Sequence, residues 1–277
     1  GTTWNPDTAL NPGEQLVFNT VSTATGSKGK DIYGGSWTSS GYSVVKEYIW
    51  RDYNWKLNGS GYLFLYVING QIYGPLVFTG TFDVATSGSG TDIFGNTSTT
   101  DTTITFRIKN GQLITERTSS TTTNTDILGN NTASISTTTY NYDKSDDNLW
   151  RYDTVVTTTS SGGNDLYGGS WSSDEYKVVQ KYDTTKTNYT RPDGTQVSAY
   201  LYDYIIKDKN DNVLIQATDP FNAAKYGTWD LAKANPLTSF SFGSAGIDIF
   251  GNSTTTTTTL TMTLYKGKLV TLKSEAI

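Results

Sequence analysis

The chain has 277 residues, with 21 Lys plus Arg against 26 Asp plus Glu and a net charge of −5, so a nucleic-acid backbone is not an expected partner. It contains neither Cys nor His, which excludes disulfides, thiolate and Ser-His-Asp nucleophiles, and zinc sites built from the usual ligands. Hydrophobic residues make up only 35%, but 7 Trp, 19 Tyr and 10 Phe supply area for a core, and 48 Thr favour strands.

In chain order, residues 1–14 read as an irregular lead-in, because Pro6 and Pro12 block regular pairing. The opening Gly1-Thr2-Thr3-Trp4 carries no signal peptide and reads as a mature form, a tagged remnant or an excised fragment. Residues 15–25 alternate as a strand, and 42–55 form another. Residues 61–68 and 71–84 face each other across Asn69-Gly70, and 102–109 and 112–118 across Asn110-Gly111. Both Asn-Gly pairs predict hairpins. No apolar run is long enough for a membrane-spanning helix, so no membrane insertion is expected.

One phrase punctuates these strands five times: DIYGG from Asp31, DIFGN from Asp92, DILGN from Asp126, DLYGG from Asp165 and DIFGN from Asp248. Asp-x-x-Gly suits a type I turn, with the Asp side chain capping a backbone N–H and Gly at the fourth position. Successive copies begin 61, 34, 39 and 83 residues apart, which counts against a solenoid of uniform rungs.

The chain also repeats on a larger scale. A shift of 134 lays residues 16–48 over 150–182. A shift of 138 lays GYLFLYVI over AYLYDYII, and one of 156 lays the DIFGN region from Thr91 over that from Ile247. Matching blocks in one order predict tandem duplication. The expected organisation is all-β: lobe 1 at 15–118, an inter-lobe β segment at 119–148, and lobe 2 at 149–277. Each lobe would be a mostly antiparallel β-sandwich or barrel. Lobe 2 carries an insertion at about 216–237, where Asp219-Pro220 and Thr228 are good starts for two short helices.

The stretches SGGNDLYGGSW and GSGTDIFGN resemble the glycine- and aspartate-rich calcium repeats of RTX-type exported bacterial surface proteins. That resemblance implies calcium as the cofactor, an extracellular or cell-surface location, and Asp31, Asp92, Asp126, Asp165 and Asp248 as metal ligands. The alternative for all five is a plain structural turn, and the sequence leaves both open. The phrases are not consecutive in the chain, whereas the family completes each site from the adjacent repeat.

Among the aromatics, Trp37 and Trp171 occupy equivalent places, as do Tyr42 and Tyr176, which predicts a shared core role. Trp50, Tyr53 and Trp55 instead align with Thr184, Thr187 and Tyr189. A cluster that one lobe does without is either a ligand platform for stacking sugar rings or a lobe-specific piece of core, and Trp229 in the insertion is equally open. Thr runs such as Thr254 to Thr259 are expected on solvent faces of strands rather than as an ice-binding array. The sequons at Asn58, Asn96, Asn130, Asn188 and Asn252 are what a Thr-rich chain produces by chance.

No phosphate-binding glycine loop or singled-out carboxylate pair is present, so a non-enzymatic protein is expected. Two functions fit: a structural or adhesive module of an exported surface protein, of the S-layer or adhesin type, partnered by itself or a surface polymer, or a carbohydrate-binding module using an exposed Trp/Tyr face.

Overall fold

The computed structural model describes residues 20–51, 61–73, 81–109, 112–143, 145, 151–190, 196–217, 238–265 and 268–277. The lead-in, Tyr53, Trp55, the Asn110-Gly111 pair, Trp229 and the segment expected to hold two helices lie outside them. Among the described residues the chain is all-β in two antiparallel sheets, with no helix and no closed barrel.

The chain divides into two compact units: Gly1–Ile93 with Thr99–Glu116, and Phe94–Ser98 with Arg117–Ile277. In the first unit, β1 (Thr20–Ala24), β4 (Ser43–Arg51), β5 (Gly61–Ile68) and β6 (Gln71–Tyr73) form a four-stranded sheet in the order β1-β4-β5-β6. Asn69 and Gly70 join β5 to β6 with φ of 48° and 82°, the two positive values that an Asn-Gly hairpin turn of type I′ requires. β2 (Ser27–Lys30), β3 (Ser36–Ser39) and β7 (Phe82–Thr91) pair in that order, followed by β8 (Thr97–Lys109) and β9 (Gln112–Thr125), within which the division falls. The core lies where Tyr66, Ile68 and Tyr73 meet Phe82, Val84, Phe106 and Ile108, with Tyr42 and Val44 packed against it. Apolar side chains recur at every second residue there because alternate residues of a strand share a face.

The second unit continues with β10 (Asn131–Tyr142), β11 (Tyr152–Asn164), β12 (Ser170–Ser173), β16 (Thr238–Ile247), β17 (Ser253–Tyr265) and β18 (Lys268–Ala276), paired as β9-β10-β11-β12-β16-β17-β18. β13 (Tyr176–Thr190) branches from β11 at Thr154–Thr159 and pairs with β14 (Gln196–Asp208), which pairs with β15 (Val213–Ala217). Gln216 and Ala217, assigned to the insertion by the sequence, are strand residues. Ile206, Ile215, Phe240 and Met262 form this unit's core, with Tyr176 and Val178 against it.

The registers carry the sequence shifts. Thr20 faces Glu47 as Thr154 faces Lys181, each displaced by 134. Ser36 faces Thr91 as Ser170 faces Ile247, displaced by 134 and 156.

Away from these cores the strands are made of small polar residues. β7 shows the change along its length, buried at Phe82 and Val84 and then only half-buried or exposed to Thr91. On β10 no residue is fully buried. Hydroxyls bond across strands instead: Ser119 to Thr137 and Thr138 to Thr157 at 3.0 Å, and Ser241 to Thr259 at 2.7 Å. Such cross-strand pairs contribute roughly 0.2–1 kcal/mol each.

Trp37 and Trp171 are not core residues, being 50% and 41% exposed. Each faces a glycine on both neighbouring strands, Gly29 and Gly90 for Trp37, Gly163 and Gly246 for Trp171. A Cβ on Gly29 would lie 2.2 Å from the Trp37 ring, so the indole covers bare backbone. Their equivalence in the repeat reflects this glycine-capping role.

Candidate functional site

All five Asp phrases are hairpin turns, joining β2 to β3, β7 to β8, β9 to β10, β11 to β12, and β16 to β17. The local geometry follows from the residue types. In DIYGG the Gly34 N–H donates to the Asp31 carbonyl, and the Asp31 N–H to the Gly35 carbonyl, closing a type I turn with a bulge. The bulge residue takes φ of +104° at Gly34, +90° at Gly95 and Gly129, +96° at Gly168 and +85° at Gly251, where a β-carbon is unfavourable.

The Asp side chain closes the turn from within. Asp31 Oδ1 accepts the Tyr33 and Gly35 N–H groups at 2.8 and 2.9 Å. Asp126, Asp165 and Asp248 do the same with the residues two and four along. In the copies ending in Asn, the Asn130 and Asn252 amides also donate to Oδ2 of Asp126 and Asp248, at 2.7 and 2.8 Å. Gly95 takes the same backbone conformation in the Asp92 copy. A further turn of this form was not read from the sequence. At β14–β15 Asp208 accepts from Asn210, from the Asn212 N–H and from its side chain, with Asp211 at φ of 66° in the glycine's place. Its signal is Asp at the first position and Asn at the fifth.

These bonds hold the Asp126, Asp208 and Asp248 carboxyls below the usual carboxylate value, first through the Asn130, Asn212 and Asn252 side-chain amides. A lowered folded pKa means the carboxylates favour the turns above the ordinary Asp value of 3.8, and this contribution is lost as pH falls through the lowered values. The Leu128, Asn210 and Phe250 amide NMR signals should therefore titrate with midpoints below that of a free Asp. Midpoints at or above it would contradict this geometry.

Turns far apart in sequence come into contact in the second unit. In the second unit Asn96 Oδ1 accepts the Ile127 N–H at 3.1 Å, and Asn130 Oδ1 accepts the Leu166 N–H at 3.0 Å. A Cβ on Gly95 would lie 3.3 Å from Ile127, and one on Gly129 3.4 Å from Leu166. The fifth-position Asn therefore stitches its turn to the next. The 83-residue interval holds β13–β15, which leave the row after β12 and return at β16; the 61-residue interval in the first unit likewise holds β4–β6.

Each turn places two apolar residues at its tip, and they remain in solvent. Ile127 is 67% exposed, Tyr167 75%, Phe250 82% and, in the first unit, Ile32 90%. Ile127, Tyr167 and Phe250, with Phe94, Leu128 and Leu166, make an apolar ridge along the second unit's turns. Beside it, Asp165 and Asp248 line an open groove of about 260 Å³ with Asn131, Asn164 and Trp171. Among the described residues, no group of three or more acidic side chains could hold a metal ion.

A second aromatic feature crosses β10, β11, β13 and β14 of the same unit. Rings of Tyr140, Tyr152, Tyr182 and Tyr202 follow one another at centroid distances of 5.6, 5.9 and 5.2 Å, and Tyr204 sits 5.3 Å from Tyr202. Burial, then the neighbouring Tyr204, Tyr152 and Tyr140, raise the Tyr182 phenol above its usual value. Of the predicted platform, Trp50 lies on β4 opposite Tyr62, and Tyr53, Trp55 and Trp229 fall outside the described residues.

No protein family, curated protein or solved structure matches the chain.

Proposed function

We propose that this chain is a non-enzymatic structural or adhesive module of an exported bacterial cell-surface protein, of the S-layer or adhesin kind, built from two homologous lobes in tandem. The observation that carries the reading is the ridge. Rigid, side-chain-capped turns hold large apolar residues in solvent, where a soluble protein gains nothing from them unless they meet a partner. The matching registers of the two units support the tandem arrangement. The turn carboxylates already accept their own backbone N–H groups, which supports metal-free turns over the calcium sites that the RTX resemblance implies. Melting temperatures in excess EDTA and in millimolar calcium are then expected to agree. A rise of several degrees with calcium would assign Asp165 and Asp248 to a metal instead.

The test is binding to purified bacterial envelope fragments by the parent protein and by a variant carrying Leu128→Ser, Tyr167→Ser and Phe250→Ser. These residues are exposed, so the fold should survive; envelope binding should be lost. Unchanged binding would refute the adhesive role.

The tyrosine ladder favours a second reading, a carbohydrate-binding module, because a row of rings can stack on successive sugars. Glycan-array binding lost on Tyr152→Ala or Trp50→Ala, with the ridge variant unaffected, would establish it over the first.

A further inference from the structure

Two of the five turn phrases end in Gly-Gly, and both run on into Ser-Trp: DIYGGSW from Asp31 and DLYGGSW from Asp165. The fifth residue decides what the carboxylate is free to do. In the Asp126 and Asp248 copies an Asn amide occupies Oδ2. Gly169 has no side chain to offer. Asp165 Oδ1 accepts the Tyr167 and Gly169 N–H groups, and its Oδ2 accepts from none of the described residues. That oxygen lies 2.6 Å from where a Cβ on Gly169 would be, on the face that carries Trp171 two residues on.

The indole reaches the same place by register. Thr132, Gly163, Trp171, Gly246 and Thr254 face one another in a row across β10, β11, β12, β16 and β17. The glycines carry no side chain, so the indole stands between the two threonines, in the open groove of about 260 Å³. Its Nε1 lies 2.7 Å from where a Cβ on Gly163 would be, and it donates to none of the described residues. The groove therefore offers an aromatic face, one N–H donor and one carboxylate oxygen. Asp165 and Asp248 border it, and its lining contains no Lys or Arg.

We propose that this groove binds one neutral pyranose ring of a saccharide. The C–H face of the ring stacks on the Trp171 indole. One hydroxyl donates to Asp165 Oδ2, and a neighbouring hydroxyl accepts from Trp171 Nε1–H. Because a hydroxyl can donate or accept, a vicinal diol satisfies both groups at once. A carboxylated sugar would be repelled by the two Asp residues. An organic cation would meet Oδ2 and the indole face but leave the N–H without an acceptor. The groove is too small to enclose a larger ligand and suits a single ring.

The first unit repeats the three residues. Asp31 Oδ1 accepts from Tyr33 and Gly35, its Oδ2 lies 2.4 Å from where a Cβ on Gly35 would be, and Trp37 follows. The inference rests on the carbohydrate reading and gives it a site at Asn164, the opposite end of β11 from Tyr152 of the ladder.

The test is NMR of isotopically labelled protein titrated with the methyl pyranosides of glucose, mannose and galactose, with glucuronate and choline as charged controls. At least one pyranoside should move the Trp171 indole N–H and the Tyr167 and Gly169 amides together and saturably, and glucuronate should move none of them. Gly169→Asn installs the side chain that the Asp126 and Asp248 copies already carry. Its amide should take Oδ2, so the turn should persist while the response is lost. Trp171→Phe keeps a ring and removes the N–H, and should weaken binding roughly tenfold. A full response in Gly169→Asn, or a response to choline in place of the pyranosides, would overturn the proposal. Shifts confined to Tyr152 and Tyr182 would also overturn it but keep the carbohydrate reading on the ladder. No response to any pyranoside at either place would sink both.

Discussion

Replacing Ile206 by Ala is expected to destabilise the second unit by about 2–5 kcal/mol, the usual cost of emptying a fully buried aliphatic site. Ile206 is 0% exposed and packed among Ile215, Phe240 and Met262. This small cluster must anchor strands whose remaining length consists of Ser, Thr and Gly, so few neighbours can close over the void. Ile127→Ala is the contrasting control. Its side chain is mostly in solvent at a turn tip, and its loss should change stability by no more than about 0.5 kcal/mol. Urea unfolding followed by circular dichroism measures both. Equal effects of the two substitutions would show that the ridge, rather than the cluster, carries the stability.

Gly163→Ala is the second large effect, and it arises where there is no core. A Cβ at Gly163 would lie 2.5 Å from the Asn131 carbonyl oxygen and 2.7 Å from the Trp171 indole nitrogen. The first neighbour is backbone and cannot move without parting β10 from β11. The second can leave only by lifting the indole into water. Overpacking of this kind costs about 1–3 kcal/mol. The Trp171 emission should shift to the red in a variant where Trp171 is the reporting tryptophan. Gly88→Ala separates this steric effect from a general property of strand glycines: its Cβ would be 3.4 Å from the Thr38 carbonyl, ordinary contact. Since Gly in a strand interior costs roughly 0.5–1 kcal/mol relative to Ala, that substitution should be neutral or stabilising.

The fold was legible where one residue type has one physical consequence. Asn69-Gly70 foretold a turn needing two positive φ values, and Asp-x-x-Gly foretold a capped turn with Gly at the fourth position. The displacements of 134 and 156 reappear as residue pairings. Lateral relations were much less legible. The 61- and 83-residue intervals are the long ones because sequence distance counts the β4–β6 and β13–β15 excursions, whereas hairpin order ignores them. Trp37 and Trp171 looked like core because the two sequence blocks matched by the shift of 134 both keep them. Gly29, Gly90, Gly163 and Gly246 held the better clue, but only once strand register brought them beside the indoles. Likewise, the difference between phrases ending in Gly-Asn and Gly-Gly gained meaning when Asn96 and Asn130 were found bonded to the next turn. The platform expected at Trp50, Tyr53 and Trp55 needs side-chain positions outside the described residues.

Side-chain-capped and stitched turns hold β9, β10 and β11, whose turn-ward lengths are small polar residues with little core of their own, as a rigid scaffold. Amide hydrogen exchange read residue by residue over β9, β10 and β11 tests it most directly. Protection should run unbroken from the core ends of these strands through Thr121–Thr125, Asn131–Thr139 and Thr157–Asn164 up to the turns. It should recede from the turn end in a variant carrying Asn130→Ala. Rapid exchange of these Thr-rich segments in the unmodified protein, with protection confined to strands around Ile108 and Ile206, would contradict it.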